Sequence, residues 1–382
     1  MRRTIFEHEH DLYRESVRRF AEEEMLPHHG EWERNGQVPR ELFVKAAEKG
    51  LLAMAVTEAH GGLGLGDFRF NQIVLEEMAA AGLGAPGLAL TLHNDICLPY
   101  FLELCTDEQR ERWLPGIASG ALVTAVAMTE PGTGSDLASI TTRARREDGH
   151  YVVDGSKTFI TNGMNADLVI TAVKTDTSER HKGISLVVLE RGMAGFERGR
   201  NLEKLGMHAQ DTAELFFEEV AVPAENLLGA EGQGFAYMVG NLAQERLSIA
   251  IAGVAAARAA LGWTLEYVKE RTAFGQPIGS FQASRFALAE MATEIELATH
   301  YCDQAVVALN RGELSAEDAA MAKWWCTEMQ GRVVDRCLQL FGGYGYMTEY
   351  PIARAFTDAR VTRIYGGTTE IMKEIVGRSL GV

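Results

Sequence analysis

Residues 140–163, ITTRARREDGHYVVDGSKTFITNG, decide the fold. Two short runs of alternating apolar and polar residues meet at Asp148-Gly149, a pair suited to a two-residue hairpin turn because both positions take positive φ there. Asp154-Gly155 predicts a second turn, and Phe159-Ile160-Thr161 ends a strand on an aromatic and a hydroxyl. Downstream, LVITAVKTD, GISLVVLE and AELFFEEVAV continue the strand pattern between polar or glycine-bearing segments, so the β reading runs from about Val123 to Gly229. Outside it the period changes. Asp67 precedes FRFNQIVLEEMAAAG, with Phe70, Ile73, Val74 and Met78 near 3.6 spacing and Gly82 as a stop; Thr106 caps DEQRERWLPGIASG. From Gly234 two long Ala-rich helical stretches follow, then a helix opened by Ser315, then TEIMKEIVGRSL. Helices, then strands, then helices predict separate layers rather than a doubly wound sheet. The expected domains are an α-helical 1–122, a β domain 123–230 and an α-helical bundle 231–382.

Composition narrows the function. The chain has 382 residues, with 37 Lys plus Arg against 53 Asp plus Glu, a formal charge of −16. DNA, RNA and anionic lipid surfaces carry the same sign, so no nucleic-acid partner is expected. Cys97, Cys105, Cys302, Cys326 and Cys337 form no C-x-x-C pair, which predicts reduced, mostly buried thiols and no metal site. No apolar run approaches the ~20 residues of a membrane span. The N-terminal MRRTIFEHEHDLYRES has neither the apolar core of a signal peptide nor the acid-poor composition of a transit peptide, so a cytoplasmic location is the expectation.

Gly82-Leu-Gly84-Ala-Pro-Gly87 spells G-x-G-x-x-G, but it follows a helix and contains Pro86. A pyrophosphate fingerprint needs a strand–turn–helix frame, so dinucleotide binding there is rejected. Met128–Asp136, MTEPGTGSD, can present backbone N–H groups and hydroxyls to a polar ring or a phosphate; a plain turn has the same composition. Arg271–Gly275 reads as a helix C-terminus or a cation beside an aromatic, Gln339–Gly343 as a glycine C-cap, and Ile364–Glu370 as a glycine turn opening a helix.

Taken in order, AHGGLGLG (59–66), AMTEPGTGSD (127–136), DGSKTFITNG (154–163), EKLGMHAQDTAELFFEEVAVPAENLLG (203–229), ERTAFGQPIGSFQ (270–282), QLFGGYGYMTEYPIARAFTDAR (339–360) and IYGGTTEIMKEIVGR (364–378) resemble the acyl-CoA dehydrogenase family over nearly the whole chain, most closely its long-chain type. The resemblance implies an N-terminal α domain, a middle β-barrel or sandwich domain and a C-terminal four-helix bundle. It implies an FAD enzyme that desaturates an acyl-CoA thioester to the trans-2-enoyl-CoA and passes electrons to an electron-transferring flavoprotein, assembled as a homotetramer. An oxygen-reactive acyl-CoA oxidase-like enzyme, or one using an acyl-carrier protein, is the alternative on the same fold.

Carried over residue by residue, Val126, Met128, Thr129, Gly134 and Ser135 would line the flavin, flanked by Phe159, Ile160 and Thr161. Arg271, Phe274, Gln282, Gln339, Leu340, Gly342 and Gly343 would come from a second subunit, and Thr368, Thr369 and Glu370 would complete the site. Ser135, Ala236, Arg246, Gly366 and Gly367 would touch the acyl-CoA. Phe159 stands where a Trp is common in the family, and Ala236 where long-chain members carry Tyr. The reaction needs a base for a weakly acidic α C–H, and a carboxylate in a dry pocket is a better base than one in water. Most of the family resembles I-Y-E-G-T, with that Glu as base; this chain reads Ile364-Tyr365-Gly366-Gly367-Thr368. A smaller subset places the Glu in a helical E-R pair, and Glu245-Arg246 matches it. The resemblance therefore assigns the base to Glu245, where the residue pattern alone would equally suit a surface carboxylate paired with a Lys or Arg.

Overall fold

The computed structural model describes residues 3–381. The first third forms α1 (His8–Phe20), α2 (His29–Asn35), α3 (Glu41–Glu48), α4 (Phe68–Ala80), α5 (Gly84–Thr91), α6 (Leu98–Leu104) and α7 (Asp107–Ala118). The caps are those the sequence signals. Asp67 Oδ1 accepts from the Arg69 N–H at 2.9 Å, and Thr106 and Gln109 close a reciprocal capping box. Phe70, Ile73, Val74 and Met78 of α4 are buried, and the chain leaves the helix through Gly82 at φ 72°. The G-x-G-x-x-G run begins at this helix exit and then enters α5, with no strand before it. Between α5 and α6, Leu92–Cys97 is π-helical, a local widening frequent at functional sites.

The β domain contains β1 (Thr124–Ala127), β2 (Arg143–Glu147), β3 (His150–Thr161), β4 (Leu168–Lys174), β5 (Ile184–Glu190), β6 (Phe196–Asn201), β7 (Thr212–Pro223) and β8 (Leu227–Leu228). Seven of them run in the order β6-β7-β3-β2-β4-β5-β8, and β1 pairs in parallel with β4. Glu147 opposite His150 closes the β2–β3 hairpin over Asp148 (φ 23°) and Gly149 (φ 87°). Asp154-Gly155 is not the turn its composition suggests. β3 runs straight through it, and the register against β7 slips between Val153 and Gly155. The reason lies across the sheet: Asp154 Oδ1 accepts from the Glu219 N–H of β7 at 3.1 Å, so a pair that otherwise closes a turn makes a β-bulge. Tyr151, Val153, Leu189, Leu215 and Val222 fill the interior.

The last third contains α8 (Gly234–Glu270), a ribbon of β9 (Thr272–Ala273) and β10 (Gln276–Pro277), α9 (Gln282–Asn310), α10 (Ala316–Phe341), α11 (Pro351–Ala359) and α12 (Thr369–Ser379). Leu247, Ile251 and Val254 of α8 share a core with Met291 and Ile295 of α9 and Cys326, Met329 and Val333 of α10. In length and composition α8 matches a membrane span, yet 67% of its apolar stretch is buried inside the protein. α11 escaped the sequence reading because glycine-rich GGYGY and Pro351 surround it; proline at a first helical position starts a helix. All five cysteines are free and buried.

Candidate functional site

Glu245 sits about three turns into α8, on a turn held from both sides by Asp95 of the π-helical segment. Ser248 Oγ donates to Asp95 Oδ2 at 2.7 Å, and Gln244 Nε2 donates to the Asp95 carbonyl at 2.8 Å. Glu245 is half-buried and has no hydrogen-bond or ion-pair partner among the described residues. Burial pushes its carboxyl up to about 7, against the opposing pull of the Arg246 and Lys323 cations. It is thus not the surface ion pair that a mid-helix E-R dipeptide usually makes. Arg246 is buried, and its Nε has no hydrogen-bond partner among the described residues. The glycine pair lies against both residues. A Cβ built on Gly366 would come 3.4 Å from Glu245 Oε1 and would overlap Ile249 Cδ1; one on Gly367 would lie 3.9 Å from Arg246 Nη2. Glu245, Arg246, Gly366 and Gly367 therefore meet, although more than 100 residues of chain separate the two pairs. Gly366 at φ +63° and Gly367 at φ +100° take conformations that a side chain disfavours.

Next to this cluster opens a cleft in which water-sized groups find about 110 Å³ of room. Ile249, Ala252, Ala256 and Trp263 line one side of it at helical spacing, and Tyr365 and Asp358 also face it. Met78 and the glycines Gly82, Gly84 and Gly87 form the opposite wall, and a Cβ on Gly82 would rest 3.5 Å from Trp263. Small residues on α8 leave the volume open. From Ile249 to Trp263 the helix rises about 21 Å at 1.5 Å per residue.

The loop after β1 is fastened from beneath by a buried ion pair. Lys157 Nζ donates to Glu130 Oε1 at 2.9 Å and to the Met128 carbonyl at 3.0 Å, while Glu130 also accepts from the N–H groups of Thr141 and Thr142. These donors, with the Lys157 charge, hold the Glu130 carboxyl at about 2 despite burial. Thr129, Gly134 and Ser135 ride on this loop, and the two hydroxyls have no partner among the described residues. Val126 and Met128 are half-buried and Ile160 is buried. Phe159 adopts φ 60° and is 66% exposed; the β3–β7 register slips between Lys157 and Ile160 and turns this ring outward. Thr161 ends β3, half-buried.

Arg271, Phe274, Gln282, Gln339, Leu340, Gly342 and Gly343 gather at the surface at one end of the bundle. The Arg271 guanidinium lies 5.6 Å from the Tyr344 ring centroid, and Phe274, at the tip of the β9–β10 ribbon with φ 52°, is 96% exposed. Thr368 and Thr369 already have work within the chain: Thr368 caps α12, and Thr369 Oγ1 donates to Glu328 Oε1 at 3.0 Å. Glu370 and Ala236 are exposed. Sequence reasoning missed Asp95, Lys323, Asp358 and Trp263. The only hint for Asp95 was two polar residues, Asn94 and Asp95, inside an apolar run; Lys323 reads as one more cation on an amphipathic helix.

Three domain families match the chain: acyl-CoA dehydrogenase N-terminal domain over residues 7–121, middle domain over 125–220 and C-terminal domain over 232–381. The mitochondrial long-chain specific acyl-CoA dehydrogenase of Mus musculus is 47% identical over 380 residues, covering 99% of this chain and 88% of that protein. The crystal structure of an acyl-CoA dehydrogenase from Geobacillus kaustophilus superposes with a TM-score of 0.96 at 48% identity, covering 99% of both chains. That of a glutaryl-CoA dehydrogenase from Mycobacterium smegmatis in complex with FADH2 gives 0.91 at 25% identity, covering 98% of this chain and 95% of that one.

Proposed function

The chain belongs to the acyl-CoA dehydrogenase family, FAD-dependent oxidoreductases acting on a CH–CH group, and we propose that it desaturates long-chain acyl-CoA thioesters with Glu245 as the base. The observation that carries this reading is the unpartnered, half-buried carboxylate of Glu245 beside a glycine that offers no side chain, at the edge of a cavity running along α8. A carboxyl poised near 7 can take a proton at neutral pH and is a stronger base than one exposed to water. The cavity supports a long acyl group: its apolar lining follows α8 from Ile249 to Trp263, about four turns of helix, where a butyryl or isovaleryl group would need roughly one or two. The long-chain relative in mouse points the same way.

The residues present fit FAD. Free hydroxyls of Thr129 and Ser135 and the outward Phe159 ring offer hydrogen bonds and a flat face to a polar heterocycle. FAD, when bound, supplies the acceptor for the hydride that leaves Cβ. Glu245 takes the α-proton onto a carboxylate oxygen, and the C–H electron pair left on Cα forms the new double bond as the hydride departs, giving the trans-2-enoyl thioester. Asp95 holds the turn of α8 that aims Glu245, and the apolar cavity wall excludes water. Arg246, buried with an unpaired Nε, offers its charge to the acyl-CoA beside Gly367. The exposed Phe274 and Arg271 cluster is the part of the cofactor site that a second subunit of a homotetramer would bring, and an electron-transferring flavoprotein would take the electrons onward.

Anaerobic mixing of the yellow holoprotein with acyl-CoAs of graded length tests this. Long-chain thioesters should bleach the flavin band, and Glu245→Gln should keep FAD and ligand binding while slowing bleaching about 10²–10⁴-fold. Near-normal reduction by Glu245→Gln would remove the base; peroxide formed at the turnover rate in air would replace the flavoprotein acceptor with oxygen.

A further inference from the structure

Lys323, on α10, is a lysine with no exposed surface, and no part of the reaction described above uses it. Its Nζ donates to the Gly367 carbonyl at 2.5 Å, its sole hydrogen-bond acceptor among the described residues. Two more α10 contacts hold the same loop: Glu328 accepts from Thr369 Oγ1 and pairs with Arg363 Nη1 at 3.3 Å. The loop 363–369 carries the glycines that lie against Glu245 and Arg246, so α10 fixes the position of that turn relative to the carboxylate. A buried ammonium ion is costly, and among the described residues Lys323 makes no direct carboxylate salt bridge, the usual compensation. The groups around the site account for its charge. Glu245 and Arg246 face it from α8, Glu328 from its own helix and Glu370 from α12. Cys97, Tyr100 and Tyr365 also face Glu245, and burial pushes all three up, so they stay neutral near neutral pH. The Glu245 carboxylate therefore lies in the field of two buried cations, Arg246 and Lys323.

We propose that Lys323 is a positioning residue: it pins the Gly366-Gly367 turn against Glu245 and sets a fixed positive charge beside that carboxylate, so that the pair determines the pH at which the α-proton is taken. Burial draws the Lys323 ammonium down to about 8, against the pull of the Glu245, Glu328 and Glu370 carboxylates that favours its charged form. The proposal rests on Glu245 being the base, and the test separates the two.

The measurement is the rate of anaerobic flavin bleaching by a long-chain acyl-CoA across pH, for wild type, Lys323→Gln, Lys323→Met and Lys323→Arg. The wild-type rate rises as Glu245 ionises. Lys323→Gln keeps a donor for Gly367 without the charge, and the midpoint moves up by about one pH unit, making the enzyme about tenfold slower on the acid limb and near normal on the alkaline plateau. Lys323→Met shows the same shift with an added loss at every pH, and Lys323→Arg restores the wild-type midpoint. An unchanged midpoint in Lys323→Gln overturns the proposal, as does a uniform loss with no shift. Should Lys323→Met fail to hold flavin, Lys323→Gln and Lys323→Arg alone decide it. Glu245→Gln is run in parallel: a dead Glu245→Gln with an unshifted Lys323→Gln defeats only the role of Lys323, whereas an active Glu245→Gln defeats the base itself.

Discussion

Moving the base across the site is the most demanding consequence of the geometry. A Cβ on Gly366 would stand 3.4 Å from Glu245 Oε1, so a side chain at 366 would start beside the Glu245 carboxylate, and a glutamate there is expected to reach the same region from a second element. The variant is Glu245→Ala with Gly366→Glu. Two obstacles are visible. Position 366 has φ +63°, where an L side chain costs about 1–2 kcal/mol, and its Cβ would overlap Ile249 Cδ1. Ile249→Val removes that methyl at about 0.5–1.5 kcal/mol. The triple variant should therefore lose roughly 1.5–3.5 kcal/mol of stability from these two changes while regaining a carboxylate. Glu245→Ala/Ile249→Val should bleach flavin about 10²–10⁴-fold more slowly than wild type. Adding Gly366→Glu should recover at least about tenfold, equivalent to about 1.4 kcal/mol of the barrier. Stopped-flow reduction by a long-chain acyl-CoA gives the rates, and flavin content and thermal melting confirm that each variant is folded. A folded, flavin-loaded triple variant no faster than its parent across the neutral to alkaline range would show that the two positions do not serve the same substrate carbon.

The cavity and the loop clamp give two more expectations. Ala256→Phe should fill the cavity partway along α8, cutting kcat/KM for palmitoyl-CoA by at least about tenfold while sparing butyryl-CoA; Trp263→Ala should shift the optimum to longer chains, and an unchanged chain-length profile in both would detach the cavity from substrate choice. Glu130→Gln leaves Lys157 buried without its anion and should cost about 3–5 kcal/mol, read as a lower melting temperature and weaker FAD retention. Because the folded Glu130 carboxyl is held at about 2, below its ordinary value, its contribution to stability is complete above pH 4.5 and is lost as pH falls toward 2; Glu130→Gln should flatten that part of the acid-melting profile.

The chain order alone determined much of this protein. Helix periods, the Asp67 and Thr106 caps and the Asp148-Gly149 hairpin are local: each is set by residues within a few positions of one another, so the α–β–α layering was legible without coordinates. Where a long-range contact competed, local reading failed. Asp154-Gly155 carries turn chemistry but serves a bulge, because the Glu219 N–H arrives from a strand 65 residues away. The same holds at the site. Spelling showed a carboxylate at 245 and none at 366, yet a mid-helix glutamate beside an arginine reads equally well as a solvated ion pair. Only the packing of α8, α10, the Asp95 turn and the 363–369 loop decided that Glu245 is half-buried with no partner among the described residues, that Lys323 is buried near it, and that the alanines of α8 face a cavity lined as far as Trp263. Desolvation and cavity shape depend on the summed presence of atoms from distant segments, and no local stretch of sequence encodes them.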